Sequence, residues 1–146
     1  MTKTLSDWRQ PEVIKRLLTT PGTWAVVGLS ANRARTAYRI GRFLRNTLGM
    51  RVVPVNPRGE CWEGEKGYYR LGDVPAPVDV VDCFVNSQHV GAVVDEAIAE
   101  KDRLGITAVW LQLGIIDEAA AERARANGLD VVMDTCPAME APRLGI

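Results

Sequence analysis

A doubly wound α/β fold, a parallel sheet of about five strands with helices on both faces, is what this sequence predicts. Three observations predict it. Short, continuously apolar runs recur along the chain, as in strands buried on both faces. The first, third and fourth are each followed, directly or after a polar loop, by a longer stretch with apolar residues at helical spacing. Glycine or Asn-Gly punctuates the ends of several of these stretches.

Taken in order, Leu5 to Leu18 reads as an amino-terminal helix, capped by Ser6 or Asp7 and ended by Pro21-Gly22. Its apolar stripe is Val13, Ile14, Leu17 and Leu18. Trp24-Ala-Val-Val-Gly-Leu29 is the first strand, and Ser30 to Arg35 a polar loop. Thr36 to Leu48 is a helix with Ala37, Ile40, Phe43, Leu44 and Leu48 on one side, stopped by Gly49. Arg51 to Val55 is the second strand. Asn56 to Tyr69 is a long polar loop with a short strand at Tyr68-Tyr69. Val78 to Val85 is the third strand. Val90, Val93, Val94, Ala97, Ile98 and Leu104 mark the helix after it. Ile106 to Leu111 is the fourth strand, an Ala-rich helix capped by Asp117 follows, and Leu129 to Met133 is the fifth. The result is one Rossmann-like domain over residues 1–146, with residues 1–20 as a helix packed on it.

Composition bounds the function. Apolar residues make up 47% and charged residues 25%, and Lys plus Arg equals Asp plus Glu at 18 each. That balance gives no reason to propose a nucleic-acid or acidic-membrane partner. No apolar run approaches a membrane span, and the amino terminus lacks the apolar core of a signal peptide. Three widely spaced cysteines, Cys61, Cys83 and Cys136, argue against a disulfide framework and a clustered zinc site, so a reducing cytoplasm is expected.

Sheets of this kind bind ligands outside the carboxyl ends of their strands, where the strand order reverses. The first strand ends in Gly28, followed by Ser30, Asn32, Arg33 and Arg35. Glycine lets a ligand approach the backbone, the following helix start favours anions, and the arginines add bidentate donors. The three-glycine dinucleotide fingerprint is absent. Where an acidic ribose partner is wanted, about 20 residues on, the chain has Asn56-Pro57-Arg58, which suits additional phosphate. Arg33, Arg35 and Arg58 fit the phosphates of coenzyme A. Phe84, Val85, Asn86 and Ser87, with Gln112 and Gly114, fit its partly apolar, amide-bearing arm. NADP remains an alternative ligand on these residues.

Ala25-Val-Val-Gly-Leu-Ser30, Val53-Pro-Val-Asn-Pro57, Val78-Asp-Val-Val-Asp82 with Phe84, Val109-Trp-Leu-Gln-Leu-Gly-Ile115 and Val131-Val-Met-Asp-Thr-Cys-Pro137 resemble, in order and spacing, the stand-alone CoA-binding proteins of the YccU-like family. These are similar to the CoA-binding domain of the succinyl-CoA synthetase α subunit. The resemblance runs from about Pro21 to Leu144. It implies a coenzyme A site with Gly28 and Ser30 in the phosphate loop and Asn56, Pro57 and Arg58 at the adenosine end. It also implies Phe84 and Val85 beside the nucleotide, and Gln112 and Gly114 flanking the pantetheine. Two features depart from the family's pattern: Val85-Asn86 replaces an Arg after the Phe, and the Ala31–Arg35 loop lacks the usual proline and lysine.

Residues suited to catalysis are few. His89 reads as a polar residue at a helix start, without an evident carboxylate beside it. Cys136 is either a small buried residue closing the sheet or a thiol at the mouth of the site. Asp79, Asp82 and Asp134 read as capping and loop residues, and Arg39, Arg42 and Arg45 as the wet face of their helix. Trp24 and Trp110 read as core or interface, and Trp8 and Trp62 as covers for exposed apolar surface. The expected function is a non-catalytic module that binds coenzyme A or an acyl-CoA. The alternatives are an enzyme acting on acyl-CoA, an NADP-dependent oxidoreductase, and a structural subunit with a vestigial pocket.

Overall fold

The computed structural model describes residues 5–146. Met1 to Thr4, the start of the segment read as lacking a signal peptide's apolar core, lie outside the described residues. The strands are β1 (Thr23–Val27), β2 (Arg51–Val55), β3 (Val80–Cys83), β4 (Ala108–Leu111) and β5 (Asp130–Met133). They form one all-parallel sheet in the order β2-β1-β3-β4-β5. The helices are α1 (Pro11–Thr19), α2 (Thr36–Arg42), α3 (Val90–Leu104), α4 (Glu118–Ala126) and α5 (Pro137–Arg143). This is the Rossmann-like α/β architecture that the alternating pattern predicts.

Strand alternation sorts the core into two layers. Trp24, Val26, Val52, Val80, Trp110 and Val132 pack with α1, α2 and α5. Ala25, Val53, Val81, Val109, Leu111 and Val131 pack on the other face with α3 and α4. The Trp24 and Trp110 rings meet at 5.7 Å, so these two are core residues. Among the described residues no helix is long and apolar enough to cross a membrane.

Several elements differ from the expectation. The amino-terminal helix begins at Pro11, not Leu5, and a separate 3-10 turn spans Leu5–Trp8. Proline disfavours helical geometry at the residue before it, and Gln10 is extended. Neither Ser6 nor Asp7 is therefore the cap of α1. The two pieces pack on opposite layers. Trp8 joins the α3–α4 side and Ile14 the α5 side, and the segment runs along β5. An ion pair from Arg16 to Asp130 fixes it there, and a strand edge is covered.

Trp8 and Trp62 are fully buried and do not cover surface. Trp62 folds the 56–69 loop inward against α2, where Gly41 leaves the room: a Cβ there would stand 3.0 Å from the Trp62 ring. Tyr38 donates its hydroxyl to Glu63 at 2.7 Å, Arg45 donates to Glu63 at 2.6 Å, and Arg45 also stacks on Trp62. Arg42 and Arg45 thus pin the loop and are not merely solvated. The short strand expected at Tyr68-Tyr69 is a single bridge, Val55 to Tyr68, on the outer edge of β2. Pro54, which has no N–H to donate, is accommodated in this edge strand.

Two further differences concern helices. α2 continues into a π-helical turn at Phe43–Thr47. The sequence reading did not include α5, which starts at Pro137 in its first turn and carries Pro142 inside.

Candidate functional site

Strands β1 and β3 are neighbours, yet the chain leaves β1 for β2 on one side and returns to β3 on the other. The strand order reverses between them, so their carboxyl ends diverge into a crevice. Gly28 closes β1 at φ 106° and its N–H donates to the Val55 carbonyl at 2.7 Å. A Cβ at Gly28 would lie 2.9 Å from both the Cβ and the carbonyl oxygen of Phe84. Only glycine lets the two strand ends come this close.

The crevice opens into a cleft of about 800 Å3. Ten of the thirteen residues predicted to form the site line it: Gly28, Ser30, Asn32, Arg35, Asn56, Pro57, Arg58, Phe84, Val85 and Asn86. Their side chains do different work. Ser30 Oγ accepts from the Asn32 N–H, and Asn32 Oδ1 accepts from the Ala34 N–H, which sets the loop's turn. The Ser30 hydroxyl proton is left to donate. Asn56 is buried and its amide is fully engaged. Nδ2 donates to the Leu29 and Glu60 carbonyls, and Oδ1 accepts from the Arg58 and Glu60 N–H groups. Asn56 therefore ties the β1 loop to the β2 loop and holds the backbone of Arg58. Asn86 Oδ1 accepts from the Gln88 and His89 N–H groups at the entry to α3.

Arg35 and Arg58 are the cations of the cleft. Both are exposed, and among the described residues neither side chain has a hydrogen bond or ion pair. No side chain caps α2, whose amino terminus follows Arg35 directly. One unengaged guanidinium group at a helix start and a second facing the same cleft from the loop after β2 favour a phosphorylated ligand. Sequence reasoning missed Glu60, which also lines the cleft. It lies two residues past Arg58, beyond the spacing at which a ribose partner was sought.

A second cavity, of about 610 Å3, adjoins the first and shares Arg35 and Phe84 with it. Gln112 lies here, and Ala37, Ile40, Phe43, Leu113, Ile115 and Met139 supply much of its apolar wall. The last of these comes from α5, so this wall could not be assembled without that helix. Arg39 lines this cavity, a second correction to the wet-face reading. Arg33 and Gly114 line neither cavity. The Arg33 guanidinium sits over the Tyr38 ring, and Gly114 donates its N–H to Asp134 at 2.7 Å.

Beneath the second cavity lies Asp82, fully buried in the middle of the sheet and not a capping residue. Its Oδ1 accepts from Gln112 Nε2 at 2.6 Å, while Oδ2 has no partner. Burial pushes its pKa up to about 7, and the Gln112 bond only partly offsets that. Asp79 and Asp134 do act as read, accepting from the Thr23 and Gly114 N–H groups. Cys136 lines the second cavity but is 92% shielded, and burial pushes its thiol pKa up. A raised pKa keeps it a thiol, the less reactive form. His89 is exposed at the start of α3, lines neither cavity and, among the described residues, pairs with no carboxylate.

Fold and cleft together define a Rossmann-like domain with a cationic crevice at its switch point. The chain belongs to the CoA binding domain family, whose model matches residues 22–142. It is 31% identical over 123 residues to the uncharacterized protein YneT of Bacillus subtilis, covering 84% of this chain and 87% of that one. A solved hypothetical protein from Pyrococcus horikoshii OT3 shares the fold at a TM-score of 0.86 with 31% identity, over 100% of this chain and 99% of that one. The α subunit of an ADP-forming acetate–CoA ligase from Pyrococcus furiosus is 26% identical over 119 residues. That match covers 77% of this chain and only 26% of the subunit.

Proposed function

We propose that this chain binds coenzyme A as a single, non-catalytic binding or carrier unit. The adenosine and phosphate end lies in the cationic cleft, and the pantetheine arm runs past Phe84 so that only its thiol end reaches the apolar cavity. One observation carries the reading: in a chain of the CoA binding domain family, a cleft with two unengaged arginines adjoins an apolar cavity across one shared wall. A ligand with a charged end and a long, mostly neutral arm fits that pair of spaces. Arg35 and Arg58 hold phosphates, and Gly28 and Ser30 offer a close approach and a hydroxyl donor. Gln112 meets the last amide of the arm, next to its thiol end.

Calorimetry separates this reading from a nicotinamide nucleotide site. Coenzyme A should bind more tightly than dephospho-CoA by roughly 10- to 100-fold, the effect of losing a charge-assisted phosphate contact. NAD should bind most weakly. NAD or NADP binding as tightly as coenzyme A would overturn the assignment.

The non-catalytic part is tested separately. Thioester cleavage needs an activated nucleophile or positioned base, together with an oxyanion site. His89 is away from both cavities, and Cys136 is held as a thiol. No thiol release is expected from acetyl-, succinyl- or longer acyl-CoAs. Release by the wild type that disappears in His89→Ala or Cys136→Ser would make the protein an enzyme.

A further inference from the structure

We infer that the cavity between α2, β4 and α5 is an acyl site, and that the preferred ligand is a coenzyme A thioester with a neutral, straight, short-to-medium alkyl chain. The inference rests on the coenzyme A reading above and names the ligand class it leaves open. Pantetheine carries two amides and a hydroxyl, which need hydrogen-bond partners wherever they leave water. Away from its arginine-bearing rim and Thr36, the cavity offers few polar groups, chiefly the Gln112 amide and the Cys136 thiol. Its walls are otherwise apolar, Ala37, Ile40, Phe43, Leu113, Ile115 and Met139 among them, a surface suited to hydrocarbon.

The rim adds a second observation. Leu113 and Met139 are 57% and 40% exposed, and both belong to this cavity. Large apolar side chains left in water beside a concave apolar wall mark a place where an apolar group is received. The cavity volume, about 610 Å3, lies inside the range of roughly 300–1,000 Å3 typical of small-molecule sites. Phe84 stands on the shared wall, so an arm coming from the nucleotide cleft delivers its thioester end here. The inner residues Ala37 and Ile40 come from α2, the same helix whose start adjoins the phosphate cleft. Arg35, the residue before α2, lines both cavities and places them end to end.

The test is a chain-length series by calorimetry with coenzyme A, acetyl-, butyryl-, hexanoyl- and octanoyl-CoA. Each methylene fully buried strengthens binding about fourfold, and with partial burial hexanoyl-CoA should bind at least tenfold more tightly than coenzyme A. The same ratio is then measured in Met139→Glu and Leu113→Glu, both at exposed positions that tolerate a charge without unfolding. The ratio should fall to about one in at least one variant. Affinity independent of chain length overturns the acyl site and leaves the coenzyme A reading standing. A chain-length gain that survives both variants places the chain elsewhere and also overturns it. Failure of every coenzyme A species to bind overturns the underlying reading together with this one.

Discussion

Asp82→Asn should be more stable than the wild type at pH 8, and should lack the decline in stability that the wild type shows between about pH 4 and 7. Asp82 lies in β3 opposite Val26 and Trp110, with no exposed surface. Its one hydrogen bond is to Gln112, and Oδ2 is unpaired. Removal from water penalises the charged form, so the folded-state pKa rises from an ordinary carboxylate value to about 7. Below about pH 4 the acid is protonated in both folded and unfolded chains, and no penalty exists. Between about pH 4 and 7 the unfolded chain has released a proton that the folded chain retains, so stability falls as pH rises. Above pH 7 both states are ionised and the penalty levels off, on the order of 4 kcal/mol.

Asparagine keeps the acceptor for Gln112 and removes the charge. Urea unfolding at several pH values, compared between the two proteins, reads the effect. One other carboxylate acts with the opposite sign, at lower pH. Glu63, held low by the Tyr38 hydroxyl and Arg45, contributes stability that is lost on acidification, the opposite sign. Only the difference between the two proteins reports Asp82. A difference that stays constant from pH 4 to 8 would show that the buried acid does not behave this way.

The same residue shows where sequence reading stops. The strands were legible because burial on both faces forces continuous apolar runs, and the helices because one-sided burial forces a 3.6-residue period. Asp82 in Val80–Cys83 breaks such a run, and near a strand end the ordinary explanation of an acid is a cap. Nothing local says that Gln112, thirty residues away, is its partner. Trp62 was misread for a related reason. It sits in a polar, glycine-rich loop, and only the gap at Gly41 and the Glu63 contacts to α2 draw it inward. α5 escaped because Pro137 and Pro142 look like breakers, although the first merely occupies a position where a missing N–H costs nothing. The arginine-bearing cleft was legible because it is built from residues directly after strand ends, which sequence order brings together once the sheet is parallel. The apolar cavity was not. Its wall joins the inner stripe of α2 to a helix that was not foreseen, and a core-facing stripe looks the same whether it meets protein or ligand.

Arg35→Ala and Arg58→Ala should each weaken coenzyme A binding roughly 10- to 100-fold, while Arg33→Ala should change it little. A charge-assisted contact to phosphate is worth about 1.5–3 kcal/mol, which converts to that range of affinity. Neither Arg35 nor Arg58 has a competing partner among the described residues, so each is available to a ligand without first breaking an ion pair. Arg35 belongs to both cavities and directly precedes α2, with its backbone extended at φ −81° and ψ 144°. Alanine keeps that geometry. Arg58 has its N–H fixed by Asn56 Oδ1, a bond alanine also keeps. Both variants should therefore fold with unchanged thermal midpoints, and the lost affinity reports the side chain. Arg33 is the control, since its guanidinium sits over Tyr38 and it lines neither cavity. Raising salt should weaken wild-type binding more than that of either variant, because exposed cations act through screened charge. If one polyphosphate group bridges the two arginines, the double variant will lose less than the product of the two single effects. If they hold separate phosphates, the losses will multiply. Unchanged affinity in both single variants, or a larger loss in Arg33→Ala, would remove the phosphates from this cleft.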